Sequence, residues 1–308
     1  MTTSTEWGEQ HQEWLRQHAV AYLNVDSAAS GPNLSVSAVP ALNQLLDDVA
    51  RTVKDPISRL AVGATTRDRL SRDRSRRVAG TPEDVIDNRL GSGSDYTVFL
   101  NFLGVPVADI SFEGPYGVYH SVYDTHNWVA RFGDPGFRYH LALVQFLGLA
   151  TLRLAGADVV PLDYEPYAQR IGDFAADAER LWIQGPAGDA AVSAMAPVRE
   201  AASELRSAAS RFNARRQAAL EGGQDEGFAQ LNRQLLSVER AFLDPDGLPG
   251  RPWYRHLIYA PKFTYAPEML PGVTEAVMAG DDRLAQQQAI RLTAALRKAA
   301  AALDAGSK

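Results

Sequence analysis

The residue types best suited to metal chemistry stand in one short stretch, Gly114 to Asp134, which contains Y-H-S-V-Y-D-T. A neutral imidazole is the commonest side-chain metal ligand, and a carboxylate or hydroxyl that takes its other ring proton fixes the ring. His120, with Asp124 four residues later, is therefore the leading candidate for a metal ligand. Taken alone, however, the stretch favours a loop histidine whose hydrogen bonds are satisfied locally.

A second candidate ligand follows an apolar run near the N-terminus. Residues 19–25 read A-V-A-Y-L-N-V without alternation, which is typical of a strand covered on both faces in a parallel sheet. Asp26 and Ser27 end this run, and open α/β sheets build their sites at such strand ends. The alternative is an aspartate that caps a helix or a turn, the usual role of an Asp-Ser pair.

A glycine-rich turn, L-G-S-G-S-D from Leu90 to Asp95, precedes an apolar helical segment. Glycines before a helix start can cradle an anion, because free N–H groups and the helix dipole point at it. The motif is weak by itself, since neither the Gly-Lys-Ser/Thr of a nucleotide P-loop nor G-x-G-x-x-G is present.

The elements that must position these residues alternate between strand and helix over residues 1–160. Strand-like runs at 19–25, at 33–39 on the sheet edge and at 105–112 are separated by amphipathic helices. A helix from Asp134 to about Ala155 has an apolar stripe made of Phe137, Leu141, Val144, Gly148, Leu152 and Ala155. This pattern predicts an α/β domain with a mostly parallel sheet and flanking helices. Residues 55–89 are expected to be polar and irregular.

Residues 161–308 are predicted to be an all-α helical bundle. Amphipathic segments at 167–183, 197–220, 226–243 and 272–303 support this prediction. A long loop over 244–271 interrupts them and includes L-P-G-R-P-W-Y-R-H-L-I-Y-A-P. Loops longer than a connection needs are often functional, and a structured plug between the domains is the alternative.

Composition and charge exclude several classes of protein. The 308 residues suffice for about two domains, and 45% apolar with 22% charged residues is a soluble, globular composition. Cysteine is absent, which excludes disulfides and thiolate ligands but leaves the compartment unknown. No signal peptide and no membrane segment are visible, because the longest apolar run, 141–155, is interrupted and falls short of about 20 residues.

Nucleic acid is not expected as a partner. The formal net charge of −6 argues against phosphate backbones and anionic membranes. The basic cluster from Arg67 to Arg77 has no interleaved aromatic residues that could stack on bases. A solvated loop or helix face is therefore the favoured interpretation of this cluster.

Several segments resemble the C-terminal half of the glutamate carboxypeptidase II and transferrin receptor-like group of zinc peptidases. They are S-T-E-W, V-A-Y-L-N-V-D-S, L-G-S-G-S-D-Y, Y-H-S-V-Y-D-T, D-P-G-F-R-Y-H-L and the long run from Glu239 to Pro261. The resemblance covers nearly the whole chain. It implies that residues 1–160 are the C-terminal half of a two-zinc peptidase domain. Residues 161–308 would be a transferrin receptor-like dimerisation domain that forms a homodimer.

The resemblance also implies roles for individual residues. Asp26 and His120 match ligands of one of the family's two zinc ions, and Asp124 matches a supporting residue near the metal. The positions that match substrate-binding residues are Tyr119, Gly93, Ser94 and Tyr265. In the family's type member, two arginines and one lysine favour acidic substrates, and the aligned positions here are Asp109, Ser111 and Thr264. A substrate carboxylate would meet no cation there, so selectivity for a C-terminal glutamate is in doubt.

The family's remaining zinc ligands and its general base belong to a His-x-Asp motif and a Glu-Glu pair located upstream of S-T-E-W. This sequence contains neither motif and no His-Glu-x-x-His. A hydrolytic zinc needs about three protein ligands and a base for its water. We therefore expect no catalytic residue in this chain, no activity of the chain alone, and peptide binding only with an upstream half. The alternative is a non-catalytic dimerisation or protein-binding module, as in transferrin receptors.

Overall fold

The strands of the N-terminal part form one small mixed sheet. The computed structural model describes residues 2–72, 85–91, 94–185, 188–223, 227–261 and 266–305. Within these residues the sheet has the order β1-β4-β2-β3, from β1 (Tyr22–Asn24), β2 (Asn33–Ala38), β3 (Ile86–Asp87) and β4 (Val107–Glu113). β1 is parallel to β4, β4 is antiparallel to β2, and β2 is parallel to β3.

The prediction of a mostly parallel sheet is corrected by the pairing of β2 with β4. This is the longest pairing in the sheet, with six residue pairs, and it is antiparallel. β2 buries Leu34, Val36 and Ala38 on one face, and such alternation is common in antiparallel strands. β2 lies inside the sheet rather than at its edge, whereas β1 is an edge strand among the described residues and is only half-buried.

Helices cover this sheet. α1 (Thr2–Gln10) and α2 (Gln12–His18) precede β1, and α3 (Asn43–Thr52) and α4 (Val62–Arg72) lie between β2 and β3. α4 corrects the expectation of irregular structure over 55–89, because Val62 and Thr66 are buried along it. Arg69 on this helix forms an ion pair with the buried Asp55 at 2.9 Å. This arginine of the basic cluster therefore has a structural partner.

Two helices follow β4, the short α5 (His126–Trp128) and the long α6 (Arg138–Ala155). Asp134 stabilises the start of α6, because its Oδ2 accepts hydrogen bonds from the backbone N–H groups of Tyr139 and His140, both at 2.9 Å. The helix is confirmed, but its packed face is not the stripe expected from the sequence. The buried residues are Tyr139, Ala142, Leu143, Phe146 and Ala150.

The C-terminal part is mainly helical. It contains α7 (Glu165–Ile183), α8 (Asp189–Gly222), α9 (Phe228–Ala241), α10 (Pro271–Met278), α11 (Asp282–Asp304) and a small hairpin of β5 (Tyr259–Pro261) and β6 (Pro267–Met269). The predicted helix over 272–303 is split, because Gly280 has a φ of 73° and the Asp281 side chain caps α11. A domain boundary at residue 160 stays a prediction. No helix in the described residues is long and apolar enough for a membrane span.

The long loop between α9 and β5 is partly buried and contacts both parts of the chain. His256 is fully buried, and its Nδ1 accepts the backbone N–H groups of Ile258 and Tyr259 at 3.1 and 3.2 Å. Its Nε2 therefore carries the hydrogen and donates a hydrogen bond to Oε1 of the buried Glu239 at 3.0 Å. On the side of the sheet, Asn101 donates to the carbonyl oxygen of Tyr259 at 2.7 Å. These contacts favour the structured plug over a free functional loop.

Candidate functional site

The candidate metal ligands follow two neighbouring strands. β1 and β4 run parallel, with Asn24 opposite Asp109, so the chain leaves both strands at the same edge of the sheet. Asp26 stands two residues beyond β1, and the loop with His120 follows β4. Sites of α/β sheets are commonly built at this edge from such loops.

The chain around Asp26 loops out of its pairing with β4. Pairing is interrupted after Asn24 and resumes where Phe112 donates its N–H to Ala28 at 3.0 Å and accepts the N–H of Ser30 at 2.8 Å. Between the two paired positions, the segment after β1 has more residues than β4 has, and the extra residues bulge away from β4. Asp26 lies within this bulge and is exposed.

A chain of hydrogen bonds holds the Asp26 carboxylate. Ser94 donates its hydroxyl to Oδ2 of Asp26 at 2.7 Å. The amide of Asn24 donates one hydrogen to the Ser94 oxygen at 3.0 Å and another to Oδ1 of Asp109 at 2.8 Å. Asn24 and Ser94 are both buried, so the rotamers of this network are fixed by packing, while Oδ1 of Asp26 accepts no hydrogen bond from a described residue.

Negative charge accumulates at this edge. Burial first, and then the charges of Asp26 and Glu113, raise the pKa of Asp109 to about 6, against the lowering effect of the Asn24 hydrogen bond. Burial, followed by nearby carboxylates, also raises the pKa of Tyr22. A cation or a proton is therefore favoured here over a further anion.

His120 lies in an exposed aromatic loop. Its backbone takes a φ of 58°, and its ring stacks on Tyr119 with a centroid distance of 3.9 Å. The ring makes no hydrogen bond to any described residue. Asp124 instead accepts a hydrogen bond from the hydroxyl of Tyr116 at 2.6 Å. Burial and this hydrogen bond raise the pKa of Tyr116 to about 12.

A close contact between two glycines fixes where the His120 loop leaves the sheet. A Cβ atom on Gly31 would lie 2.4 Å from the Cα of Gly114. No real Cβ makes such a contact, so the two backbones can approach this closely only without a side chain. The start of the His120 loop is thereby pinned against the segment that follows Asp26.

These residues fit a zinc ion only in part. Ligating carboxylates are usually hydrogen-bonded by an outer residue, and Ser94 makes such a bond to Asp26. The exposed His120 ring has no competing partner among the described residues. A zinc site needs about three protein ligands, however, and the described part of the chain holds no group of three or more His, Asp or Glu suited to a metal. These residues alone do not complete a zinc site.

The predicted substrate-binding residues differ in where they lie and in whether the structure describes them. Ser94 is buried in the network of Asp26, and Tyr119 is exposed beside His120. Gly93 and Tyr265 lie outside the described residues, as does Thr264. Sequence reasoning did not identify the positioning roles of Asn24 and Tyr116. Only the strand register brings Asn24 to Asp109 across 85 positions of the sequence.

Comparison with known proteins gives a consistent set of relatives. Residues 194–304 match the family described as transferrin receptor-like dimerisation domain. The chain is 39% identical over 277 residues to the probable glutamate carboxypeptidase LAMP1 of Arabidopsis thaliana, covering 89% of the chain and 38% of that protein. It is 28% identical over 285 residues to the aminopeptidase NAALADL1 of Rattus norvegicus, covering 89% of the chain and 37% of that protein.

A further relative is named as an inactive enzyme. The chain is 29% identical over 316 residues to the inactive zinc metalloprotease C354.09c of Schizosaccharomyces pombe, covering 96% of the chain and 36% of that protein. The chain thus spans less than two fifths of the length of each of these three relatives. From these matches and the matched dimerisation domain, we conclude that the chain belongs to the transferrin receptor-like family of zinc peptidases.

Proposed function

We propose that this chain is the part of a zinc-dependent exopeptidase that contributes Asp26 and His120 to a metal site. The observation that carries the proposal is the parallel pairing of β1 with β4, because these two residues follow those strands at one sheet edge. Ser94 orients Asp26 through a hydrogen bond, and Asp124 supports the loop through Tyr116. The complete family site holds two zinc ions, and this chain would contribute ligands to one of them.

The proposed substrate is a peptide bound over the same edge. Tyr119 and Ser94 are the described candidates for contact with it, and Gly93 and Tyr265 are candidates from the sequence. Relatives are named glutamate carboxypeptidases, but Asp109 places a carboxylate where selection of a glutamate side chain would need a cation. We therefore expect peptides with neutral or basic residues to be preferred over acidic ones.

The chain by itself is proposed to be inactive. It would supply two ligands and no general base, whereas hydrolysis needs about three ligands and a base that takes a proton from water. The other ligands and the base would come from polypeptide that is not in the present sequence. The helical part, which matches a dimerisation domain over 194–304, would hold two copies together as a homodimer.

The alternative is a non-catalytic dimerisation or protein-binding module. One observation favours it: one relative is named an inactive zinc metalloprotease. In this alternative Asp26 would be a turn aspartate whose partner is Ser94, and His120 an exposed loop histidine. Zinc binding separates the two proposals.

The test is a zinc titration of the purified chain by calorimetry. We expect one weak site, and Asp26→Asn or His120→Gln should each lower its affinity at least about tenfold, since even outer-shell partners are worth about 10–100-fold. If both residues bind one ion, the double variant should lose much less than the sum of the two single losses in free energy. His126→Gln, at the exposed first residue of α5, is the matched control and should bind as the wild type does.

Two results would contradict these proposals in different ways. Equal zinc affinity of the wild type and both ligand variants would leave only the non-catalytic module. Hydrolysis of a peptide by the chain alone, dependent on zinc and stopped by a chelator, would refute its proposed inactivity. A peptidase assay with the same samples supplies this second measurement.

A further inference from the structure

A cluster of four polar side chains lies wholly inside the helical part, and we call it the Glu239 cluster. Its members are Glu239 on α9, Tyr167 on α7, His256 in the long loop after α9, and Tyr259 in β5. All four residues are 0% exposed. A buried carboxylate is unfavourable unless hydrogen bonds replace the water that it has lost, so the partners of each oxygen atom matter.

Only one of the two carboxylate oxygens of Glu239 has partners. Its Oε1 accepts the hydroxyl of Tyr167 at 2.6 Å and the Nε2–H group of His256 at 3.0 Å. Each of these donors has a single hydrogen to give, because Nδ1 of His256 is itself an acceptor of backbone N–H groups. Neither donor can therefore serve the second carboxylate oxygen as well.

Two buried atoms of the cluster have no partner among the described residues. They are Oε2 of Glu239 and the hydroxyl oxygen of Tyr259. Buried polar atoms in native proteins nearly always have a hydrogen-bond partner, which is either protein or ordered water. Leaving a buried donor or acceptor without one costs more than a typical hydrogen bond contributes. Both atoms are therefore expected to have a partner that is not a protein group.

The two atoms share one environment. Burial first, and then the negative charge of Glu239, raise the pKa of Tyr259 well above its ordinary value, while the hydroxyl of Tyr167 opposes this. The Tyr259 ring lies 5.6 Å from the ring of His256 and 6.2 Å from that of Tyr167, measured between centroids. The Tyr259 hydroxyl is thus near the carboxylate, yet no direct hydrogen bond joins it to Glu239 or Tyr167.

We propose that the Glu239 cluster binds one water molecule between Oε2 of Glu239 and the hydroxyl of Tyr259. The water donates one hydrogen to the carboxylate and accepts the hydrogen of Tyr259. Its second hydrogen can be donated to the oxygen of Tyr167, which accepts no hydrogen bond from a described residue. The water then makes about three hydrogen bonds, the usual number for a buried water.

The geometry favours water over other occupants. Because all four residues are fully buried, no side chain of another polypeptide, whether upstream or from a second copy, reaches the cluster. A metal ion fits less well, since both nitrogens of His256 are in use and only one carboxylate oxygen and one phenol oxygen remain. Water can donate to one of these atoms and accept from the other.

The bound water joins elements that are far apart in the sequence. It connects α9 and α7 to β5, beside the contacts that His256 already makes with the backbone of β5. The start of the hairpin is thereby fixed to two helices. This inference goes beyond the proposed function and does not depend on zinc or on a second copy.

The first test compares Tyr259→Phe with the wild type in urea unfolding. If water accepts the hydroxyl hydrogen, the variant loses a hydrogen bond, and its equilibrium constant for unfolding should rise about threefold to tenfold. Tyr164→Phe is the matched control, because Tyr164 is 1% exposed and its hydroxyl donates to the carbonyl oxygen of Leu235 at 3.0 Å. The two losses should be similar. Removing a hydroxyl without a partner stabilises instead, so a Tyr259→Phe variant at least as stable as the wild type overturns the proposal.

The second test is a high-resolution crystal structure of the wild type. It should show density for one water within hydrogen-bond distance of both Oε2 of Glu239 and the Tyr259 hydroxyl. A direct hydrogen bond between these two atoms, or no water between them, would contradict the inference. This measurement needs no variant, so it decides the question even where Tyr259→Phe fails to fold. Neither test bears on zinc binding by Asp26 and His120.

Discussion

Replacing Asp109 by Asn should stabilise the chain at neutral pH and leave it unchanged in acid. Burial first, and then the charges of Asp26 and Glu113, raise the pKa of Asp109 to about 6 from its ordinary 3.8. The folded state therefore disfavours the ionised carboxylate. An amide of the same shape carries no charge, and its oxygen can still accept the hydrogen bond from Asn24 that Asp109 accepts at 2.8 Å.

The sign and size of the effect follow from proton linkage. Between about pH 4 and 6 the folded state binds more protons at Asp109 than the unfolded state, so wild-type stability falls as the pH rises through this window. Above about pH 6 the loss is complete. A pKa shift of one unit corresponds to about 1.4 kcal/mol, so the upper limit on the stability lost by ionising Asp109 is about 3 kcal/mol. Because the side chain is only partly buried, we expect about 1–3 kcal/mol.

The assay is urea unfolding in the presence of a chelator, for example at about pH 4 and about pH 7.5. It measures the free energy of unfolding of the wild type and the variant. Chelation is needed because a cation beside Asp26 would favour the ionised form of Asp109. Glu113→Gln removes the same formal charge from an exposed position of β4 and should change stability much less. A variant of Asp109 that is less stable than the wild type at neutral pH, or whose gain is the same at both pH values, would refute this reasoning.

Two further predictions concern the His120 loop. Asp124→Asn should lower the pKa of Tyr116 from about 12 toward 10, but not fully because burial remains; phenolate absorbance during a pH titration measures this, and an unchanged midpoint would count against the hydrogen bond. Gly31→Ala should destabilise the chain by about 2 kcal/mol or more, since its Cβ would meet the Cα of Gly114 at 2.4 Å. Gly172→Ala, in a helix with free space around it, should instead stabilise by about 0.5–1 kcal/mol in the same unfolding assay.

The positions of the long helices could be predicted from the sequence, but the face that α6 buries could not. The apolar stripe of Leu141, Val144 and Leu152 correctly indicates a helix, yet these side chains are exposed. α6 is apolar on both sides, and in such a helix periodicity does not distinguish the sheet-facing side from an outer contact surface. The packed side is decided by tertiary contacts, such as that of Tyr139 with Phe112.

The sequence of β2 carries a pattern that is typical of antiparallel strands. Leu34, Val36 and Ala38 alternate with polar residues, as in a strand with one covered face. The candidate site was only partly predictable for a different reason. Asp26 stands out because it ends an apolar run, whereas the partners of Asn24 depend on the register between β1 and β4. These two strands are far apart in the sequence, and the residues of one strand alone do not determine which residues of the other lie opposite them.

The helical part of the chain also contributes to the position of Asp26. A Cβ on Gly91 would lie 2.8 Å from the carbonyl oxygen of Ala260 in β5, so Gly91 is packed directly on the hairpin of the helical part. The hairpin is held in turn by Asn101, which binds the carbonyl oxygen of Tyr259. Displacement of this hairpin would move Ser94, and with it the hydroxyl that orients the Asp26 carboxylate. The helical part therefore supports the candidate site as well as any contact between two copies, and removing it should disturb the sheet edge even where the strands remain intact.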